Sequence, residues 1–368
     1  MKKARNSNIE LLRIIAMLFI VISHYTVHNG ISNASLPLGI NRYLLEITSL
    51  GNIGVVLFVL ITGYFMIEQK EFKLKKVLAL YLQLFFYSVF IFLGFVIFSK
   101  QDFSIKAYIQ NFMPIIFQKY WFMTCYVFLF ILSPFINKFL NGLKRKEHLN
   151  FLLVTIFLFS IIPTFTTFQI YANELIQLIT FYSIGAYFKK YPKNIFNNKK
   201  LSFRLLIVTI LLLLLSVAVC DIMSVKYSFF NTYATHLFNR NSIIAILFCV
   251  SLFNTFINKK EFNNKLINKI GGCTLGVYLI HDNYLIRDLL WNKIFKNYNF
   301  VGSKYLILHM VITILIVYIV CTIIEYIRKN TVEKLTNKII ISKIDNLQKY
   351  LESKYNYILK KYINIKGK

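Results

Sequence analysis

Acidic residues are scarce in this chain: 15 Asp and Glu stand against 43 Lys and Arg over 368 residues. Charge of either sign is sparse, at 16% of residues, while 57% are hydrophobic. A soluble domain of this length could not hide that much apolar surface, so a soluble globular fold is excluded. No polar stretch is long enough to fold apart from the apolar runs, which leaves a single integral membrane domain. The five cysteines, Cys125, Cys220, Cys249, Cys273 and Cys321, are scattered singly with no CxxC and no His/Cys cluster. That excludes a disulfide framework and a zinc finger and makes them small core residues. Gly-x-Ser-x-Gly, P-loop and metalloprotease motifs are missing, as is an internal repeat of the kind that marks many secondary transporters. No small-residue cleavage site follows the first apolar run, so that run is expected to stay as a helix.

What is there is a succession of long apolar runs. A hydrocarbon core of about 30 Å takes roughly 20 apolar residues per helix. On that template the chain is an all-α polytopic membrane protein with about ten transmembrane helices, at 9–28, 45–67, 77–98, 120–139, 149–168, 173–189, 203–223, 241–258, 271–290 and 304–327. Segment 105–118 reads as a re-entrant or interfacial piece. The basic excess lies in short segments between the runs, where it sets topology and does not form a nucleic-acid surface; no nucleic-acid partner is expected. Lysine and arginine alternate in density from loop to loop, with only the loop carrying Arg287, Lys293, Lys296 and Lys304 out of step. The positive-inside rule then puts both termini in the cytoplasm, which requires an even helix count. Residues 1–327 form the transmembrane domain. Residues 328–368 form a basic tail whose apolar positions (Ile344, Leu347, Leu351, Tyr355, Ile358, Tyr362) step by three or four, as in an amphipathic helix on the anionic leaflet or a short coiled coil.

Two polar residues stand out in "ELLRIIAMLFIVISHY", residues 10–25: Arg13 and His24. Ionisable groups inside a membrane are costly and call for a reason. Eleven residues turn a helix through about 1100°, three turns plus roughly 20°, so the two share a face about 16 Å apart along the axis. That suits an anion-holding group near the inner end and a proton-transfer group deeper in. Equally, Arg13 snorkels to the inner headgroups and His24 bonds a neighbouring helix.

The same stretch resembles the first helix of the acyltransferase family 3 membrane proteins, whose hallmark is Arg, ten residues, then His. Further segments agree in order. "GVVLFVLITGYFM" (54–66) resembles the second helix with its Phe-x-Leu-x-Gly element, with Thr62 where Ser is usual. "FKLKKVLALY" (72–81) resembles the basic element that follows, usually Arg-x-x-Arg. "YWFMTCYVFLFILSPFI" (120–136) resembles the Trp-Phe-Leu helix that ends in proline, and "LGVYLIHDNYL" (275–285) the late Gly-(Ile/Val)-Tyr-Leu-Ile-His segment.

The resemblance implies a multi-pass enzyme of the bacterial cytoplasmic membrane. It would move an acyl group, usually acetyl, from cytoplasmic acetyl-CoA to a hydroxyl of an extracellular polysaccharide or lipid-linked glycan. No bound cofactor is expected; acetyl-CoA is the donor substrate, and the lipid bilayer and polysaccharide-assembly proteins are the further partners. By position, His24 is the general base or an acyl relay, apt because an unperturbed imidazole titrates near neutrality. Arg13 holds the donor's phosphates or pantetheine amide, or an oxyanion. Glu10, one turn before it, orients it by an ion pair. Lys73 and Lys76 occupy the place of the paired arginines, as donor contacts or as ordinary positive-inside lysines. His281, at a depth like that of His24, is a second acid/base, an acceptor ligand or a structural hydrogen bond. On one continuous helix Asp282 points about 100° away from it, so the two are not expected to pair. Trp121 is a sugar-stacking or interfacial aromatic, and Arg287 binds an anionic acceptor or caps the outer interface. His28 stands at a zinc-compatible spacing from His24, but no third ligand is evident beside them and no metal is expected. Asp221 and Glu325 are explained by hydration at helix ends, and His309 has no partner that the sequence names. The 41-residue tail is too short for the soluble hydrolase-like domain of some family members, so transfer is completed by the membrane domain itself or by a separate partner. The competing functions are a non-catalytic polysaccharide export or assembly component, and a membrane transporter.

Overall fold

A computed structural model of the chain describes residues 5–28, 36–69, 73–99, 102–166 and 173–341, with scattered single positions beyond 342. Every regular element among them is helical. The first half of the chain forms α1 (Ser7–Val27), α2 (Ile40–Glu46), α3 (Gly51–Met66), α4 (Leu74–Phe98), α5 (Ile105–Phe112), α6 (Trp121–Gly142), α7 (Arg145–Ile156), α8 (Ile162–Phe165) and α9 (Glu174–Lys190). The second half forms α10 (Lys199–Ser224), α11 (Phe230–Tyr233), α12 (Ile243–Ile257), α13 (Lys265–Gly271), α14 (Thr274–His281), α15 (Tyr284–Asp288), α16 (Leu306–Asn330) and α17 (Val332–Thr336). Short polar side chains start many of them. Asn6, Ser104, Asn173, Asn198, Ser242, Asn264 and Asn283 each accept a hydrogen bond from a backbone N–H of the first turn, satisfying donors that lipid would leave bare.

Eight helical stretches among the described residues are long and apolar enough to cross a membrane: Ser7–Val27, Ile40–Met66, Leu74–Phe98, Trp121–Gly142, Arg145–Phe165, Lys199–Ser224, Phe230–Ile257 and Leu306–Ile339. They correspond to eight of the ten runs read from the sequence. The sixth run forms α9, which at 17 residues is shorter than these. The ninth is not one helix: the chain breaks after His281, where Asn283 takes an extended conformation and caps α15. The 105–118 stretch contains the eight-residue α5, held to α4 by Ser88 Oγ donating to the Asn111 carbonyl at 2.9 Å. At the 327/328 boundary α16 runs through unbroken to Asn330. The amphipathic repeat of the tail falls mostly outside the described residues.

The core is set by close helix crossings. At the contact of α3 with α9, a Cβ on Gly63 would lie 2.0 Å from the Tyr182 carbonyl oxygen, and one on Gly185 2.1 Å from that of Leu60. Only glycine fits at both points, and membrane helices lacking a hydrophobic drive toward each other rely on such backbone approach. Gly54 serves likewise, since a Cβ there would meet the Ala16 carbonyl of α1 at 2.4 Å.

Charges inside the bundle are paired, which corrects the hydration reading of Asp221 and Glu325. Asp221, 4% exposed, lies 2.8 Å from the charged Arg42 Nε, whose N–H donates to Glu46 Oε1 at 3.2 Å. Glu325, 1% exposed, accepts from Tyr87 Oη at 2.6 Å, Gln83 Nε2 at 2.9 Å and Arg328 Nε at 2.7 Å. Helix ends that meet other helices here are dry, so carboxylates there need partners from the protein.

Replacing either glycine of the α3–α9 crossing should loosen the bundle. Gly63→Ala or Gly185→Ala should cost about 1–3 kcal/mol, because the methyl meets backbone that cannot step aside. Gly94→Ala, where a Cβ has nothing within 4 Å, should leave stability unchanged. Thermal unfolding of the purified protein in detergent measures all three.

Candidate functional site

Helix α1 carries a polar group at each end of the bundle. At its first turns Arg13 Nη1 donates to Glu10 Oε1 at 2.8 Å, the pairing that their one-turn spacing implies. Glu10 is buried because Gly271 lets it in: a Cβ on that glycine would lie 2.6 Å from Glu10 Oε2. Arg13 lines a cavity of about 330 Å³ together with Arg5, Tyr64, Lys189 and Glu261. Arg5 and Lys189 were not singled out by the sequence reading, since nothing in the local pattern brings positions 5, 13 and 189 together. The lining sets three cations, Arg5, Arg13 and Lys189, against two carboxylates, Glu10 bonded to Arg13 and Glu261, with Lys189 also 3.5 Å from the exposed Glu68.

Three turns along, His24 meets a cluster from the broken ninth segment. His24 Nδ1 lies 3.0 Å from His281 Nε2 and 3.4 Å from Asp282 Oδ1. His281 Nδ1 faces the Val277 carbonyl oxygen at 2.6 Å, so that nitrogen carries the proton and Nε2 accepts. Both neighbours of His24 Nδ1 are then acceptors, and Nδ1 must be the donor. His24 Nε2 is left unprotonated, with no hydrogen-bond partner among the described residues, on a side chain 16% exposed. That is the arrangement of a base whose far nitrogen is fixed by a carboxylate.

Asp282 is the centre of this cluster. Its Oδ1 also accepts from His28 Nε2 at 3.0 Å and from Arg287 Nε at 3.0 Å and Nη2 at 2.7 Å, and the residue is 1% exposed. His281 and Asp282 are not hydrogen-bonded to each other; what the single-helix picture did not foresee is that both reach Nδ1 of His24. Asp282 is the C-cap of α14, with φ −93° and ψ 3°, and the next residue is extended, so the 100° step of a continuous helix does not apply. Asp282 is likewise the third ligand type that the zinc argument lacked. One ligand atom each from His24, His28 and Asp282 lie within 4.8 Å of one another. A cation held by these residues would compete with the Arg287 guanidinium for Asp282, and the hydrogen bonds present are those of an oriented base.

Tyr120 and Asn283 complete the surroundings. Tyr120 Oη donates to the Leu279 carbonyl at 2.9 Å and accepts from Asn283 Nδ2 at 2.7 Å. Rings step from Tyr126 to Phe122 (5.4 Å between centroids), Tyr278 (5.7 Å) and His281 (6.4 Å), making an aromatic wall beside α1. Tyr126 Oη is 2.8 Å from Oγ1 of Thr62, the residue at the unusual position of the second-helix element. His309 does have partners: its Nε2 donates to the Phe295 carbonyl at 3.0 Å, leaving Nδ1 to accept from Tyr25 Oη at 2.8 Å.

Three sequence candidates lie elsewhere. Trp121 is covered on one face by the Arg240 guanidinium, 4.7 Å from the ring centroid. Lys73 and Lys76 line a crevice with Ser133 and Pro134 rather than the Arg13 cavity, and Lys76 also edges an apolar groove of about 610 Å³ with Phe86 and Arg328.

Among known proteins, the family model described as an acyltransferase domain matches residues 6–326. No curated protein and no solved structure matches the chain. The matched span takes in both ends of α1, the break that carries Asp282 and almost all of α16, and the chain belongs to acyltransferase family 3.

Proposed function

We propose that this family member is an O-acetyltransferase of the bacterial cytoplasmic membrane, moving acetyl from cytoplasmic acetyl-CoA to a hydroxyl of an extracellular or lipid-linked polysaccharide. The observation that carries the reading is the state of His24: Nδ1 is held as a donor by His281 and Asp282, and Nε2 is free to take a proton. The same helix lines, three turns away, a polar cavity that holds Arg13, Arg5 and Lys189. In the proposed topology both termini are cytoplasmic and ten segments cross, with α9 and the broken α13–α15 run added to the eight long spans. The lysine-rich ends of the helices around Arg13 then face the cytoplasm, where the donor is.

Acetyl-CoA brings phosphates and a long flexible pantetheine arm. Its phosphates would sit with Arg13, Arg5 and Lys189, and its thioester would reach along α1 toward His24. His24 Nε2 takes the proton of the acceptor hydroxyl as that oxygen attacks the thioester carbonyl. The C–S bond breaks, the proton passes to the leaving thiolate, and the products are the O-acetyl ester and CoA with a free thiol. Asp282 stabilises the imidazolium that forms in between, and its contacts to His28 and Arg287 hold it in place.

Reconstituted protein with labelled acetyl-CoA should label a glycan and release CoA; label moved across the bilayer without CoA release would point to a carrier instead. His24→Ala should lower transfer by about 10²–10⁴-fold, the usual worth of a positioned base. Asp282→Asn should keep the contact shape and still lower kcat, by about tenfold or more, since it no longer offsets the imidazolium charge. Normal acetylation in His24→Ala protein that is inserted and folded would overturn the assignment. At the other end, Arg13→Ala and Lys189→Glu should raise KM for acetyl-CoA by about tenfold, the worth of a charge-assisted contact, with KM for the acceptor unmoved.

A further inference from the structure

A cleft of about 600 Å³ opens at the His24 end of the bundle, between the chain that enters α2 and the segment that follows Lys296. Its two walls are tied together, since Asn41 Nδ2 donates to the carbonyls of Val301 at 2.9 Å and Ser303 at 3.2 Å. It is tied to α1 as well: Asn297 Nδ2 donates to the carbonyl of Tyr25, the residue after His24, at 3.0 Å. Lys296 takes the left-handed conformation, φ 51° and ψ 48°, which a side chain adopts only where the surrounding structure compels it. The turn that results presents Tyr298, 64% exposed, on the wall of the cleft.

The lining mixes apolar side chains such as Leu38, Ile40 and Val301 with Tyr298, Arg42 and Lys304, a combination that can receive a sugar ring. An exposed phenol ring offers a flat apolar face with a polar edge, matching a sugar ring with its C–H face and rim of hydroxyls. Lys304 also lines the cleft and has no carboxylate partner among the described residues; its ammonium lies over the Tyr305 ring at 5.1 Å. Arg42, the other cation of the lining, is already balanced by Glu46 and Asp221. Lys304 is therefore the charge left for an incoming oxygen. Two glycines, Gly39 and Gly302, line the same cleft, and a Cβ on either meets nothing within 4 Å. Trp121, by contrast, has a face already covered by Arg240.

We propose that this cleft is the acceptor's second subsite. It holds a sugar of the chain next to the one acylated at His24, with Tyr298 as the stacking platform and Lys304 bonding its hydroxyl or acidic oxygens. The proposal rests on the glycan-acceptor reading above and adds the residues that recognise the glycan.

The test uses oligosaccharides released by partial hydrolysis from the producing cell's own surface polysaccharide, with full-length protein in detergent. Tyr298→Ala and the cleft-filling Gly302→Trp should each raise KM for the oligosaccharide by about tenfold, with KM for acetyl-CoA within twofold. Tyr298→Phe, which keeps the ring, should stay close to wild type, and thermal unfolding checks that each variant is folded. Saturation-transfer NMR of the same oligosaccharides should show binding that survives His24→Ala and is lost in Gly302→Trp. Transfer by wild type with glycan KM unmoved in both variants would overturn the cleft and leave the enzyme reading standing. Binding lost in Gly302→Trp, with no transfer by wild type, would uphold the cleft and overturn the enzyme reading. Neither binding nor transfer by wild type would overturn both.

Discussion

One carboxylate oxygen, Oδ1 of Asp282, joins the parts of this protein on which its chemistry turns. It accepts from His28 at the end of α1 and from Arg287 on α15, and it lies beside Nδ1 of His24. Taken out of water, a lone carboxylate would be too costly to keep, and three neighbours of cationic or donating character make it stable. In return the carboxylate fixes the ring of His24 and decides which nitrogen carries the proton. His281, held by the Val277 carbonyl, enforces the same choice from the other side. A free imidazole could sit in either tautomer; here two acceptors at one nitrogen leave the other as the base.

The same rule governs the bundle elsewhere. Arg42 with Glu46 and Asp221, and Glu325 with Tyr87, Gln83 and Arg328, are charges drawn inward, each paired within its own helix and with a helix distant in sequence. They fix which helices are neighbours in a setting where apolar surface alone does not discriminate, because lipid is as apolar as leucine. Glycines then set how close the neighbours come. Gly63 and Gly185 let α3 and α9 touch backbone to backbone, and Gly271 lets Glu10 fold in beside Arg13.

Much of this is written locally and was legible. Arg13 with Glu10 is a one-turn pair on a helix, and the eleven-residue step to His24 is a matter of helical period. The long apolar runs match the long helices, because a run of about 20 apolar residues has few other stable fates in a bilayer. The ninth segment was misread for an equally physical reason. "LGVYLIHDNYL" is apolar enough to continue as a helix, and period alone gives no sign that the chain breaks and turns Asp282 toward His24. The break depends on Asn283 capping a new helix while its amide donates to Tyr120, and on Asp282 finding Arg287 five residues on and His28 far away; Tyr120 and His28 are not neighbours in the pattern. His28 lost its role with it, since the carboxylate that gives it meaning lies 254 residues away.

The sequence by itself determined the class of the molecule: an all-helical membrane protein, the shared face of Arg13 and His24, and, through its ordered motifs, membership of acyltransferase family 3. Those properties follow from composition and short-range period, which every residue carries with it. Only the tertiary structure decided that Asp282 faces His24, that Arg5 and Lys189 share the Arg13 cavity while Lys73 and Lys76 do not, and that Tyr298 is open where Trp121 is covered. Each is a meeting of side chains from helices far apart in the chain, and such meetings are selected by packing and charge pairing across the bundle, which no local pattern encodes.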